Sequence, residues 1–186
     1  MKCPRCGLIV TDRVPTCRGC GFSITDLDRR LHWVPEQVGF VNDFAGLLSA
    51  EEKISLQARL SQLQQELDGE FVLVTINSTK PVKPSEFVFW LFNRWQVGGK
   101  AHTGLMILLT QKERRIECEV GYGWEPIISD VESGKVLDEQ IVPLLKENKA
   151  HEALSQGTEQ LASIIEQALS PRHEMPAGTS SQESEP

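Results

Sequence analysis

The chain has 186 residues, 40% of them apolar and 24% charged, with a formal net charge of −7. That length allows one ordinary domain of roughly 100–150 residues with a small appendage, and excludes two full cores. No stretch approaches the roughly 20 apolar residues that would cross a bilayer, and the first residues lack the apolar run of a secretion signal, so a cytoplasmic protein with no membrane span is expected.

The chain opens on Cys3-Pro-Arg-Cys6-Gly7 and, ten residues later, Cys17-Arg-Gly-Cys20-Gly21. A C-x-x-C pair brings two sulfurs to one metal while backbone N–H groups turn toward them, and the glycine after the second cysteine permits a turn with positive φ. Two such pairs close a tetrahedron, so residues 1–21 read as a small ribbon with Cys3, Cys6, Cys17 and Cys20 holding one structural Zn²⁺. With no open coordination position, that metal supports folding and does no chemistry. A redox role would need only one pair. Residues 1–30 carry six basic and three acidic side chains, a hint of nucleic acid. Four thiolates around Zn²⁺ add a formal −2, however, and about +1 leaves little electrostatic footprint, so nucleic acid is not expected as a partner. The basic residues beside the cysteines read as counter-charges to the thiolates.

Residues 22–37 read as a linker, polar at Asp26-Leu-Asp-Arg-Arg30 and tethered by Trp33 to the larger domain. From 38 to 169 helices and strands alternate. Ser49-Ala-Glu-Glu52 is a capping box opening a helix with Leu56, Leu60, Leu63 and Leu67 on one stripe. Phe71-Val-Leu-Val-Thr-Ile76 is a continuous apolar and β-branched run, as in a strand covered on both faces. Pro84 starts an aromatic-rich helix through Phe87, Phe89, Trp90, Phe92 and Trp95, more aromatic rings than one face can bury, so one or two should form an exposed contact patch. Leu105 to Leu109 is a second buried strand, and Arg115 to Val120 alternates strictly, with Ile116, Cys118 and Val120 inward. Cys118 there reads as a small buried hydrophobe. Ser129 or Asp130 caps a helical region interrupted at Pro143, and a last helix carries Leu154, Leu161, Ile164, Ile165 and Leu169. The order implies an α/β fold, a three-layer α/β/α sandwich whose sheet is mixed because its last strand follows by a tight turn. The tail, 170–186, is rich in Pro, Ser, Gly and Glu and is expected to be disordered.

Four separated motifs in this region, Val41-Asn-Asp43-Phe-Ala45-Gly-Leu-Leu-Ser49, Trp95-x-Val-Gly98, Gly104-Leu-Met-Ile-Leu-Leu109 and Arg114-Arg-Ile-Glu-Cys-Glu-Val-Gly121-Tyr-Gly123-Trp-Glu125 with Asp130 beyond, resemble the TPM domain over about residues 38–168. The resemblance implies the same α/β/α sandwich. It also implies a range of activities: some members are described as acid phosphatases, others as repair or assembly factors for membrane complexes, and some bind Ca²⁺ or Mg²⁺. This chain departs from the pattern before its second buried strand, where His102-Thr103-Gly104 stands in place of the usual Asn-Asn-Gly.

Asp43, Glu125 and Asp130 each fall at the end of an element, where loop carboxylates could converge on Ca²⁺ or Mg²⁺. Equally, Asp43 could cap a turn, Asp130 could be an N-cap and Glu125 could be solvated. The four histidines are scattered and no serine or cysteine has an evident histidine partner. Two functions are consistent with these residues: an accessory module with an unidentified protein partner, or a weak metal-dependent acid phosphatase acting on phosphomonoesters.

Overall fold

The computed structural model describes residues 3–9 and 16–170; the tail expected to be disordered lies outside the described residues from position 171 onward. The elements in chain order are α1 (Ile24–Arg30), β1 (Val41–Asp43), α2 (Ala50–Leu67), β2 (Glu70–Ile76), α3 (Pro84–Trp95), β3 (Gly104–Thr110), β4 (Arg115–Val120), α4 (Asp130–Val136), a π-helical turn (Leu137–Ile141), α5 (Val142–Lys146) and α6 (Ala150–Leu169).

The sheet order is β1-β2-β3-β4. The first three strands are parallel and β4 pairs antiparallel with β3, Leu105 opposite Val120 and Leu109 opposite Ile116. The sheet is therefore mixed for the expected reason, a tight turn after β3. All seven residues of β3 are buried, as are five of the seven in β2. Alternation sends Phe71, Leu73, Leu105 and Ile107 to one face, and Val72, Val74, Met106 and Leu108 to the other. The first face packs against α2, the π-helical turn and α6. Helix α2 starts at the capping box of Ser49 and Glu52 and buries Leu56, Leu60, Leu63 and Leu67, the stripe expected from its spacing. Ile116 and Cys118 pack half-buried against the same core.

The other face is covered by α3, and the layer beyond α3 is the main departure from the sequence-based expectation. Every residue from Glu86 to Phe92 is buried, which one helix face against a sheet cannot achieve. The outer face of α3 is covered by the cysteine segment and by α1: Cys3, Cys17, Phe22 and Leu27 belong to the same core as Phe89, Trp90, Val72 and Met106. No aromatic contact patch is left on α3, because Phe89 and Phe92 are each only 9% exposed. Residues 22–37 are accordingly more than a linker. Leu27 is fully buried, and the Asp28 carboxylate accepts the Trp90 indole N–H at 2.9 Å and pairs with Arg94. Burying Phe22 and Leu27 contributes about 1.5–3 kcal/mol each. Trp33, expected to tether this segment, is 68% exposed. The tether is Trp95 instead, whose indole N–H donates to the Pro35 carbonyl at 2.7 Å.

Candidate metal centre

The two cysteine pairs adopt one backbone pattern twice. Cys3 N–H donates to the Leu8 carbonyl at 2.8 Å and Gly7 N–H to the Cys3 carbonyl at 2.9 Å. Fourteen positions on, Cys17 N–H donates to the Phe22 carbonyl and Gly21 N–H to the Cys17 carbonyl, both at 2.8 Å. Gly7 and Gly21 have φ of 74° and 71°, the left-handed turn that only glycine enters without strain. These turns bring the four sulfurs within 4.8 Å of one another. Cys3 and Cys20 are 3.7 Å apart, as are Cys6 and Cys17. Sulfurs lying about 2.3 Å from a tetrahedral Zn²⁺ would be about 3.8 Å apart, so the donor set fits a metal ion of that size.

The environment of the thiols is in keeping with a cation at their centre. Hydrogen bonds from the Cys20 and Gly19 N–H groups help draw the Cys17 thiol down to about 7. Cys20, although the Phe22 N–H favours its thiolate, is pushed up to about 12 by burial and by the neighbouring sulfurs of Cys6, Cys3 and Cys17. Four adjacent thiolates repel unless a cation offsets them, and a metal would release the remaining protons. All four positions would be filled by sulfur, which leaves no place for water or substrate.

The centre is bolted to α3 through Arg5. Its guanidinium donates to Glu86 at 2.6 Å and lies 4.9 Å above the Phe22 ring, while the Ser85 hydroxyl donates to the Pro4 carbonyl at 3.1 Å. Arg5, read from sequence as a counter-charge to the thiolates, therefore has Glu86 as its direct partner. A lone arginine between two cysteines carries no signal of that role. Glu86 is 3% exposed. Burial pushes its carboxyl up, but the Arg5 hydrogen bond and the Lys83 N–H outweigh burial and hold it below the ordinary value of 4.5. A depressed folded-state pKa means that this contribution is full above the unfolded-state value and is lost as pH falls through the folded one. Melting curves between pH 7 and pH 3 should therefore converge for wild type and Glu86→Gln toward the acid end, because any acid release of a thiolate-bound cation is common to both. Arg5→Ala should lower stability by about 2 kcal/mol at neutral pH, the order expected for a buried charge-assisted bond.

The three carboxylates expected near Ca²⁺ or Mg²⁺ are placed differently. Asp43, 1% exposed in its side chain, accepts the N–H groups of Leu47 and Leu48 at 2.9 and 3.1 Å and the Thr75 hydroxyl, with Lys53 at 3.9 Å. It caps the turn between β1 and α2. Glu125 follows Trp124, its N–H donating to the Gly121 carbonyl at 3.1 Å. Strand register puts Asp43 in the row of Thr75, Leu109 and Ile116, whereas Gly121 lies beyond the row of Leu105 and Val120. Four residues of strand span about 13 Å, so Asp43 and Glu125 stand at opposite ends of the sheet and are not brought together. Asp130 is the first residue of α4, capped by Ser129 in a box with Glu132; the Asp130 side chain lies outside the described residues.

Gly69 and two glycines of the sequence motifs, Gly98 and Gly104, have a packing role at the amino ends of the parallel strands. Trp124, 1% exposed, packs against Gly69, where an added Cβ would come within 2.0 Å of its ring, and its ring centroid sits 5.2 Å from that of Phe71. Gly98, with φ of 82°, brings its α-carbon so close to Gly104 that a Cβ would lie 2.4 Å from the Gly104 nitrogen. His102, at the position departing from the family pattern, packs edge-on against Tyr122.

A four-stranded mixed sheet between helix layers defines an α/β domain, and the four cysteines on its outer layer are clustered as in a small metal-binding ribbon. The sequence pattern of the TPM domain matches residues 41–164, and the chain belongs to that family. Among solved structures, the N-terminal domain of a protein from P. gingivalis is similar at 27% identity and a TM-score of 0.65, covering 70% of this chain and 83% of that one. The N-terminal domain of the cg2496 protein from Corynebacterium glutamicum (17%, TM-score 0.56, covering 81% and 90%) and the BA42 protein from Bizionia argentinensis (16%, TM-score 0.58, covering 65% and 83%) share the fold. No curated protein matches this chain. No helix among the described residues is long and apolar enough to cross a membrane.

Proposed function

We propose that this chain is an accessory module in which a structural Zn²⁺ held by Cys3, Cys6, Cys17 and Cys20 clamps the ribbon onto a TPM domain, and the ribbon and connector dock a protein partner. The closed set of four thiolates favours zinc in a structural role. A reducing compartment, the cytoplasm, keeps such thiols available to metal.

The observation that carries the docking is where apolar surface is left exposed. Leu8, Ile9, Trp33, Val34 and Val38 account for five of the eight exposed large apolar side chains among the described residues. All five precede the segment matched by the family pattern, 41–164. Exposed apolar surface is therefore concentrated on the part of the chain added to the family domain. Trp33 stands 68% exposed on backbone anchored by the Trp95 bond to Pro35. An exposed aromatic side chain on a fixed backbone loses little entropy on binding and is the common anchor of protein interfaces.

The test is affinity capture with the full chain and a Trp33→Ala/Val38→Ser variant whose melting temperature matches wild type. A protein retained by wild type and lost with the variant is the expected result; identical captures would reject the docking face. A Mg²⁺- or Ca²⁺-dependent turnover of a phosphomonoester that disappears in Asp43→Asn would instead establish a hydrolytic site at Asp43, without Glu125 at the far end of the sheet.

A further inference from the structure

A groove of about 1060 Å³ opens between the β3–β4 turn and the segment from α4 to the start of α6. It lies at the carboxyl end of β3, where Leu109 and Thr110 close the strand. In open α/β sheets this is the end at which ligands bind. The π-helical turn supplies part of its wall through Leu137 and Asp138, and such turns are frequent at functional sites. The groove belongs to the family domain and stands apart from the ribbon, so it is independent of the docking proposed for Trp33.

Its lining has two characters. Leu47, Ile116, Leu137, Val142 and Leu145 provide an apolar floor, and Arg114, Arg115 and Lys146 stand on the rim against a single carboxylate, Asp138. Three cations to one anion is the reverse of the chain as a whole, which carries −7. Two neighbouring carboxylates are engaged elsewhere, Glu113 accepting the Ser78 hydroxyl and Glu147 pairing with Lys149 at 2.9 Å, whereas Glu117, 3.6 Å from Arg115, offsets that one rim cation. Arg114 and Lys146 make no ion pair with a described residue. Two unpaired cations over an apolar concavity attract an anionic head and accept an apolar body, the composition expected of a small-molecule site.

We propose that this groove binds an amphipathic organic anion, a carboxylate or phosphate head carried on an apolar body, with Arg114 and Lys146 holding the head and the leucine-rich floor the body. Both head groups present the same chemistry to the rim, and the probes separate them. Calorimetry with full-length protein at low salt would use decyl phosphate, decanoate, decanol and inorganic phosphate. Saturable one-to-one binding of decyl phosphate or decanoate is expected, with decanol and inorganic phosphate at least tenfold weaker. Arg114→Ala/Lys146→Ala should weaken binding by at least tenfold, whereas Lys112→Ala, outside the groove, should leave it unchanged. In wild type, amide NMR shifts on titration should map to 109–116 and 137–150, a readout that does not depend on how the variants fold. Absence of binding, decanol binding as tightly as the anions, an unchanged double variant, or shifts confined to the ribbon would each overturn the proposal.

Discussion

Removing the proposed metal, by chelation or by Cys17→Ser, is expected to lower the melting temperature of the entire protein by about 10 °C instead of merely loosening its first residues. Cys3, Cys17, Phe22 and Leu27 share one core with Phe89, Trp90 and Met106, so release of the ribbon uncovers the outer face of α3. Losing the burial of Phe22 and Leu27 amounts to about 4 kcal/mol, and each kcal/mol shifts the melting temperature of a domain this size by about 2–4 °C. In the proposed reading the metal holds this cover in place, since a segment with so little core of its own would fold by drawing on metal-binding free energy, about 10–16 kcal/mol in zinc-finger peptides. Calorimetry before and after chelation, with elemental analysis of both samples, measures the shift. Tryptophan emission should move to the red, because Trp90, fully buried under Phe22 and Leu27, becomes exposed to water. A protein that melts identically after chelation would show that no metal holds the ribbon against the domain.

Gly69→Ala is the second large effect. The new methyl would sit 2.0 Å from the Trp124 ring, so either β2 moves or the indole leaves its place against Phe71. Overpacking of this kind costs about 1–3 kcal/mol or more, and Trp124→Ala by itself should cost about 3–5 kcal/mol. The decisive measurement is the double-mutant cycle with Trp124→Leu. If the indole is what the methyl strikes, Gly69→Ala becomes far milder when Trp124 is already smaller, a coupling of at least about 1 kcal/mol. Additive losses in urea denaturation would mean that the strain lies in the backbone, where the Thr103 carbonyl would be 2.7 Å from the same methyl. Either way Gly69 acts through packing, with no chemistry assigned to it.

Features written in neighbouring residues are legible along the chain itself. The paired C-x-x-C-G turns depend on N–H groups and a positive φ within five residues, and both glycines adopt it. The Ser49–Glu52 capping box, the leucine stripe of α2 and the inward face of β4 arise from local hydrogen bonding and periodicity, and all three are present as expected. So is the mixed sheet, since a tight turn after β3 forces an antiparallel neighbour.

Only tertiary structure decided which surfaces cover one another. Three-residue β1 is a strand because β2 pairs with it, and no three-residue pattern announces that. The aromatic excess of α3 read along the chain as an exposed contact patch, whereas it forms a second buried face whose cover lies 60 or more positions away, in Phe22 and Leu27, and the polar run around Asp28 hid a helix whose carboxylate meets Trp90. Asp43 and Glu125 each sit at an element end, yet strand direction and register send them to opposite ends of the strands. The basic groove joins Arg114 to Lys146 across 32 positions. Hydrogen bonds and side-chain period act within a few residues and can be read along the chain, whereas burial and charge pairing are set by neighbours in space that the linear order does not name.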